Sequence, residues 1–596
     1  MKFPLPPLLL CLLAFASVLF ADDRPNILWI SAEDHGPHLG CYGDEYATTP
    51  NLDAFAARSL LFTKASSNAP VCAPARTTVI SGMYPPSLGA HHMRSRVPSP
   101  SYLKFFPVYL REAGYYTTNQ NKEDYNLETG DKGWNDSSKT AHWKNRPHPE
   151  QPFFAVFNFT GTHESKIRNE NKNPHHDPAL APVPPYHPDT PEVRKDWAQY
   201  YDRLSELDRY FQDRLDELEA AGLADDTIVL FWSDHGSGMP RSKRFPGWSG
   251  LHVAMIAHIP EKFRHLAPSD YLPGAKSDRL VSFVDLAPTT LALAGIEAPD
   301  YYHGQAFLGE NVAAAPRYSY GFKGRMDERT DECRTVTDGR YVYIRNYYPH
   351  LPHGQFLWYQ QQTQTTSQWY QLFKDGKLDS LQSAFWEPHP SEELFDLVND
   401  PHETVNLAES PDYQGILSTF RAELSAHQSR TRDLSFIPEP ILRKVALAGE
   451  SPAEAFASYF EPNSHRSELP TYPIPEYWKL IELLSATAAE IQAALPQAVA
   501  ATKHDEACLA VVAAELVALH SKDRQARDQA MEILVSYARY PENELILSLQ
   551  ASVALDHIHA AGIQLPDSVK QLTDEHESIP GWAKAYRPRL LERFQK

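Results

Sequence analysis

Asn26-Ile27-Leu28-Trp29-Ile30-Ser31-Ala32-Glu33-Asp34-His35 decides the architecture. Asn26 to Ile30 reads as a buried strand, and the chain then turns abruptly to acidic and imidazole side chains. Three later runs repeat this design. Tyr115-Tyr116-Thr117-Thr118 runs into Asn121-Lys122-Glu123-Asp124, and Phe153-Phe154-Ala155-Val156-Phe157 into Thr160-Gly161-Thr162-His163. Thr227-Ile228-Val229-Leu230-Phe231-Trp232 runs into Ser233-Asp234-His235-Gly236. A helical run from about Trp197 to Leu218, ended by Gly222, separates the last two strands, and another spans about Asp285 to Ala294. This alternation predicts an α/β sheet from residue 26 to about 310. Ligands of such sheets bind beyond the carboxyl ends of the strands. One polar strand end reads as a solvated loop; four together predict a site. Glu33, Asp34 and Asp234 are hard oxygen donors, suited to calcium or magnesium rather than zinc. His235 either ligates or orients a carboxylate.

The 596-residue chain is too long for one core, and two or three domains are expected. Its net charge of −20 argues against nucleic acid or an anionic membrane as the main partner, so an anionic substrate needs local cations or a metal. Lys2, the apolar run from Leu8 to Phe20 and Ala21 read as a signal peptide over 1–21, with a retained membrane anchor as the alternative. A secreted or periplasmic protein without an integral span is expected. Cys41, Cys72, Cys333 and Cys508 then remain, too scattered for a disulfide framework or a zinc knuckle. The expected organisation is a catalytic domain over 22–315, a small α+β subdomain over 316–445 and an α-helical accessory domain over 446–596. In the last, segments near 477–493, 505–520, 524–538 and 543–560 carry helical periodicity.

One segment singles out a cysteine. In Val71-Cys72-Ala73-Pro74-Ala75-Arg76-Thr77-Thr78-Val79-Ile80-Ser81-Gly82, Pro74 suits a first helical turn and Gly82 a helix end. Cys72 then sits at a helix N-terminus, where the dipole stabilises anions and lowers a thiol pKa. The plain alternative is a small buried hydrophobe. Cys72-x-Pro74-x-Arg76 with Ile80-Ser81-Gly82 resembles the type I sulfatase signature, whose cysteine is oxidised to formylglycine by an enzyme that reads the Cys, Pro and Arg. Arg24-Pro25-Asn26-Ile27-Leu28 and Thr49-Pro50-Asn51-Leu52-Asp53 resemble the family's opening strand and first helix start. Glu393-Leu394-Phe395-Asp396-Leu397, Asp400-Pro401-His402-Glu403-Thr404 and Asn406-Leu407 resemble its C-terminal signature. The resemblance covers about 24 to 410, and within the family the look is that of heparan N-sulfatase and its bacterial relatives.

The resemblance implies an alkaline-phosphatase-like sheet sandwiched by helices. It implies one calcium ion held by Glu33, Asp34, Asp234 and His235, with the formylglycine from Cys72 completing the sphere. Arg76 would orient the aldehyde hydrate, and Lys122, His163 and Lys243 would surround the sulfate. A hydroxyl of the hydrate would attack sulfur, and His163 or Lys243 would protonate the leaving atom. The remaining hydroxyl would let the sulfated hemiacetal collapse. Three departures stand out: Glu33 replaces the usual Asp, Ala75 the usual Ser, and Asp124 the His that serves as base. Arg345 and His350, with His353 more doubtful, are expected near the strand ends as contacts for a sulfated oligo- or polysaccharide. The alternatives are a phosphonate or phosphate ester hydrolase of the same superfamily and a glycan-binding protein that has lost turnover.

Overall fold

The computed structural model describes residues 24–269, 271–310, 312–460, 472–542, 544–572 and 586–595; the predicted signal peptide lies outside them. Among the described residues no helix is long and apolar enough to cross a membrane. The main sheet comprises β1 (Asn26–Ala32), β2 (Leu60–Ser66), β3 (Tyr116–Gln120), β4 (Asp136–Ser138), β5 (Phe153–Phe159), β6 (Thr227–Ser233), β7 (Met255–His258) and β8 (Lys276–Ser282). Their order is β8-β2-β7-β6-β1-β5-β3-β4. The four strands expected from sequence are its contiguous parallel centre, β6-β1-β5-β3. Only β7 runs antiparallel to its neighbours.

Period-two alternation divides the core into two layers. Ile27 and Trp29 join Phe154 and Leu230 on one face, and Leu28 and Ile30 join Ala155 and Phe231 on the other. The helices that matter here begin with α1 (Cys72–Ser81), α2 (Pro191–Ala220) and α3 (Leu286–Leu293). On α2, Trp197, Tyr200, Leu204, Leu207 and Phe211 recur at helical spacing and cover the second face. It starts before the sequence reading because Thr190 caps the Val193 N–H and Pro191 opens the first turn.

Strands β9 (Ser319–Lys323), β10 (Cys333–Thr337), β11 (Tyr341–Asn346) and β12 (Glu392–Asp396) form an antiparallel meander. Val342 and Ile344 pack inward with Phe245 and Trp248. Tyr343 and Leu394 pack outward with Phe420 and Leu424 of α4 (Gln414–Thr431). Beyond it lie α5 (Ile474–Leu483), α6 (Ala488–Ala501), α7 (Ala507–His520), α8 (Arg524–Ala538), α9 (Leu545–Ala560) and α10 (Tyr586–Phe594). The helix expected over 477–493 is two, because Thr487 and Glu490 form a capping box that starts α6.

Asp556 of α9 ties these layers together. It meets Arg329 at 2.8 Å and Arg593 of α10 at 2.7 Å, and both Arg329 and Asp556 are buried. Burial alone would raise the Asp556 carboxyl; Arg329 and Arg593 outweigh it and hold it below its ordinary value. Its stabilisation is therefore present above the usual carboxylate range and lost as pH falls below it. Asp556→Ala leaves Arg329 buried without a counter-charge, and denaturant unfolding should report a loss of about 3–5 kcal/mol at neutral pH that shrinks in acid.

Candidate active site

The carboxyl ends of four neighbouring strands and one helix start meet at residue 72. β1 delivers Glu33 and Asp34, β6 delivers Asp234 and His235, β5 leads to His163 and Glu164, and β3 leads to Lys122 and Asp124. Cys72 is the first residue of α1, and Arg76 lies one turn on. Gly82 ends that helix in the left-handed conformation at φ 64°.

Asp34 is the electrostatic centre. Its Oδ2 accepts from Lys243 Nζ at 2.6 Å and from the Glu164 N–H at 2.7 Å, while its own N–H donates to Asp234 at 3.0 Å. Burial would raise its carboxyl; Lys243, His163 and His235 outweigh that and hold it well below the usual range. Lys243 also lies 3.2 Å from Glu164 and 3.7 Å from the Cys72 sulfur. Of the three basic residues at 241, 243 and 244, Lys243 is the one that reaches the sulfur. Arg241 binds the backbone carbonyls of His402 and Glu403, and Arg244 forms a bidentate pair with Glu164 at 3.0 and 2.8 Å. Arg76 lies 3.1 Å from Asp234 and 2.8 Å from Asn158. Lys122 pairs with Glu33 and stands 3.6 Å from Asp124. Burial raises Asp124, but Lys122, Arg94 and Arg76 keep it below its ordinary value, which makes it a weak base. Burial and Lys243 push His163 down to about 4, so the imidazole is neutral at pH 7.

The donor set suits a hard cation. One ligand atom each from Asp34, Cys72, Asp234 and His235 lies within 4.8 Å of the others, and Glu33 falls in an overlapping group with Asp34, Cys72 and His163. Assigning the His235 Nδ1 proton to the Gly236 carbonyl at 2.9 Å turns the Nε2 lone pair toward Asp34 at 3.0 Å and Asp234 at 3.6 Å. Lone pairs so placed repel unless a cation lies among them. No Cβ fits at residue 236, since it would stand 2.1 Å from the Ser249 carbonyl oxygen.

Two expectations need correction. The Cys72 thiol is not activated by its helix: burial, with Asp234, Asp34 and Asp124, raises it well above its ordinary value despite Lys243. Desolvation and three carboxylates outweigh the dipole. Arg345 and His350 do not join the cluster. Arg345 shares the outward face of β11 with Tyr343, opposite Val342 and Ile344. It lines a cavity of about 1030 Å³ with Tyr347, Phe436 and Trp478 that contains none of the residues around Cys72. His350 is half-buried near Glu515 and His557 of the C-terminal helices.

Sequence reasoning missed Arg94, Asn158, Glu164, Arg244, Asp327 and Tyr586. Glu164 and Arg244 sit beside predicted residues, and Asn158 lies one residue past the predicted end of β5. Nothing local marks Asp327 or Tyr586. Burial would raise Glu164; Arg244 and Lys243 drive it below the usual carboxylate range. Glu164→Gln should lower stability by about 3–5 kcal/mol in denaturant unfolding, because two buried cations lose a shared counter-charge. A loss under about 1 kcal/mol would mean that Asp34 and Asp327 hold them without it.

Comparison with known proteins places this geometry. A family model described as Sulfatase matches residues 25–147 and 118–296. An ulvan-active sulfatase of Formosa agariphila is 36% identical over 475 residues, covering 71% of this chain and 78% of the relative. Human N-sulphoglucosamine sulphohydrolase is 26% identical, covering 69% of this chain and 91% of the relative. The solved structure of a 2-O GAG sulfatase superposes with a TM-score of 0.51 at 19% identity over 69% of this chain and 93% of its own, a likeness of fold. With the identity to the first relative spread across most of both chains and the family model lying over the strands that build the site, this chain belongs to the sulfatase family and is a sulfuric ester or sulfamate hydrolase.

Proposed function

We propose that the chain removes sulfate, as ester or sulfamate, from a sulfated glycan, with a formylglycine made from Cys72 by a formylglycine-generating enzyme as nucleophile. One calcium ion would be held by Glu33, Asp34, Asp234, His235 and residue 72. The observation that carries this reading is the convergence of Asp34, Asp234, His235 and Lys243 on the side chain of residue 72. Relatives named for ulvan and for N-sulphoglucosamine support a sulfated sugar as substrate.

A sulfate is shielded by its own negative oxygens, so cations must meet it first. Calcium would offset the acid pair and polarise a sulfate oxygen, and the aldehyde hydrate would supply the attacking hydroxyl. The remaining work belongs to side chains present here. Lys243 is held charged by Asp34 and Glu164, although burial alone would neutralise it. At 3.7 Å from the residue 72 sulfur it can hydrogen-bond a sulfate oxygen or protonate the leaving atom. Neutral His163 can accept a proton, and an arriving anion would raise its affinity for one. Arg76 braces Asp234 and would orient the aldehyde hydrate. Asp124 stands 3.6 Å from Lys122, where it can take up a proton weakly.

Peptide mass analysis of active protein should find an aldehyde at residue 72; active protein that retains a thiol there overturns the nucleophile. A calcium chelator should lower kcat/KM by about 1000-fold, the cost of losing several kcal/mol of charge stabilisation, and added calcium should restore it. Two zinc ions by elemental analysis, with phosphonate or phosphate esters cleaved faster than a panel of sulfated oligosaccharides, would replace the sulfatase reading by its superfamily alternative.

A further inference from the structure

We propose that Arg94, which stands beside Asp327 and Tyr586 of α10, forms a second anion subsite that binds an acidic group of the sugar other than the sulfate being removed. The subsite rests on the glycan reading above, and its ligand is a carboxylate or a second sulfate.

Arg94 belongs to the same charged surface as the site. Together with Lys122 and Arg76 it draws the Asp124 carboxyl down, and Asp124, Tyr586 and Asp327 in turn favour its charged form. A line of contacts joins it to residue 72. Tyr586 donates to Asp327 at 2.7 Å, Asp327 lies 3.2 Å from Arg244, Arg244 pairs with Glu164, and Glu164 lies 3.2 Å from Lys243.

Within that line Arg94 alone keeps capacity for a ligand. Its side chain is 34% exposed, whereas those of Lys243 and Arg244 are 1% and 8% exposed. Asp327 is already engaged by Tyr586 and Arg244, so Arg94 meets it only at 3.7 Å. Tyr586 also lies near enough to favour the charged guanidinium. A guanidinium has five donors in a planar fork matched to carboxylate and sulfate oxygens, and most of these remain available. The backbone is committed as well. Arg94 adopts φ 57°, and its N–H donates to Asn126 at 2.9 Å, which directs the side chain without its own salt bridge doing so.

Tyr586 is a positioning residue, and its helix is clamped from two sides. Arg593 pairs with Asp556 and lies 4.0 Å from the Phe356 ring centre, and Arg589 lies 3.9 Å from that of Trp358. The ring of the next residue, Tyr359, lies 6.4 Å from that of His163, so the segment against which α10 packs reaches the residues around Cys72. The C-terminal helices would thereby contribute to substrate choice.

Three disaccharides separate the cases: one with a single sulfate and no other charge, one with a sulfate and a uronate carboxylate, and one with two sulfates. Calorimetry on Cys72→Ser protein should show one or both doubly acidic sugars binding about tenfold tighter than the first, the worth of one charge-assisted hydrogen-bonded pair. Which of the two gains identifies the acidic group. Arg94→Ala in that background should bring all three within about twofold, and Tyr586→Phe should narrow the preference while leaving affinity for the singly charged sugar within about twofold. If Arg94→Ala does not fold, Arg94→Lys should still cut the preference at least about threefold, since the planar fork is lost. Equal affinities in the Cys72→Ser protein, or equal weakening of all three sugars by the Arg94 substitution, overturn the subsite. Failure of aldehyde-bearing wild-type protein to release sulfate from any of them, with the Arg94-dependent preference intact, overturns the proposed activity and leaves the subsite standing.

Discussion

Asp34 is fully buried yet charged, and the arrangement around residue 72 follows from keeping it so. An isolated carboxylate in that place would take up a proton rather than pay for its desolvation. Lys243 and a backbone N–H prevent this, but Lys243 is then itself a buried cation. Glu164 answers Lys243, Arg244 answers Glu164, and Asp327 answers Arg244. Each pair is stronger for being dry, and each is costly to break for the same reason. The alternation of sign fixes Lys243 beside the sulfur without relying on a flexible side chain's own preference.

The site's framework was legible because of what a parallel sheet demands. Strands buried on both faces are continuous apolar runs, and their carboxyl ends are where polar residues have a use. That reading found β1, β3, β5 and β6 and the strand-end side chains Glu33, Asp34, Lys122, Asp124, His163, Asp234 and His235, whereas Arg76 and Lys243 followed only from the family resemblance. It missed β2, β4, β7 and β8, of which β4 is only three residues long. Leu60 to Ser66 has Thr63 and Lys64 in its middle, Met255 to His258 is only four residues long, and Lys276 to Ser282 is polar over its first half. It missed Glu164, Asp327 and Tyr586 because a buried charge is answered by whatever packing brings close. Asp327 and Tyr586 are 259 residues apart.

Arg345 was misplaced although the information was present. Val342 and Ile344 are the apolar alternates of β11, so they face the catalytic layer, and Arg345 must point the other way with Tyr343. The thiol of Cys72 was misjudged for a different reason. A helix dipole is a partial charge screened by surroundings, whereas three nearby carboxylates and full desolvation act on the sulfur directly.

The loop that carries Lys243 explains why the small antiparallel sheet and the C-terminal helices accompany the catalytic layer. Glu403 accepts the Trp248 and Ser249 N–H groups at 2.6 and 3.2 Å, and Arg241 returns hydrogen bonds to the carbonyls of His402 and Glu403. Phe245 and Trp248 are packed beneath β11. The lysine is thus placed by contacts made outside the main sheet. The segment that supplies them is held in turn: Arg329 by Asp556, and Asp327 by Tyr586. On the proposed mechanism, a cation 3.7 Å from residue 72 would tolerate little displacement, since misplacement by about 1 Å can cost a hundredfold in rate. Distant helices therefore bear on the chemistry by limiting how far one loop can move.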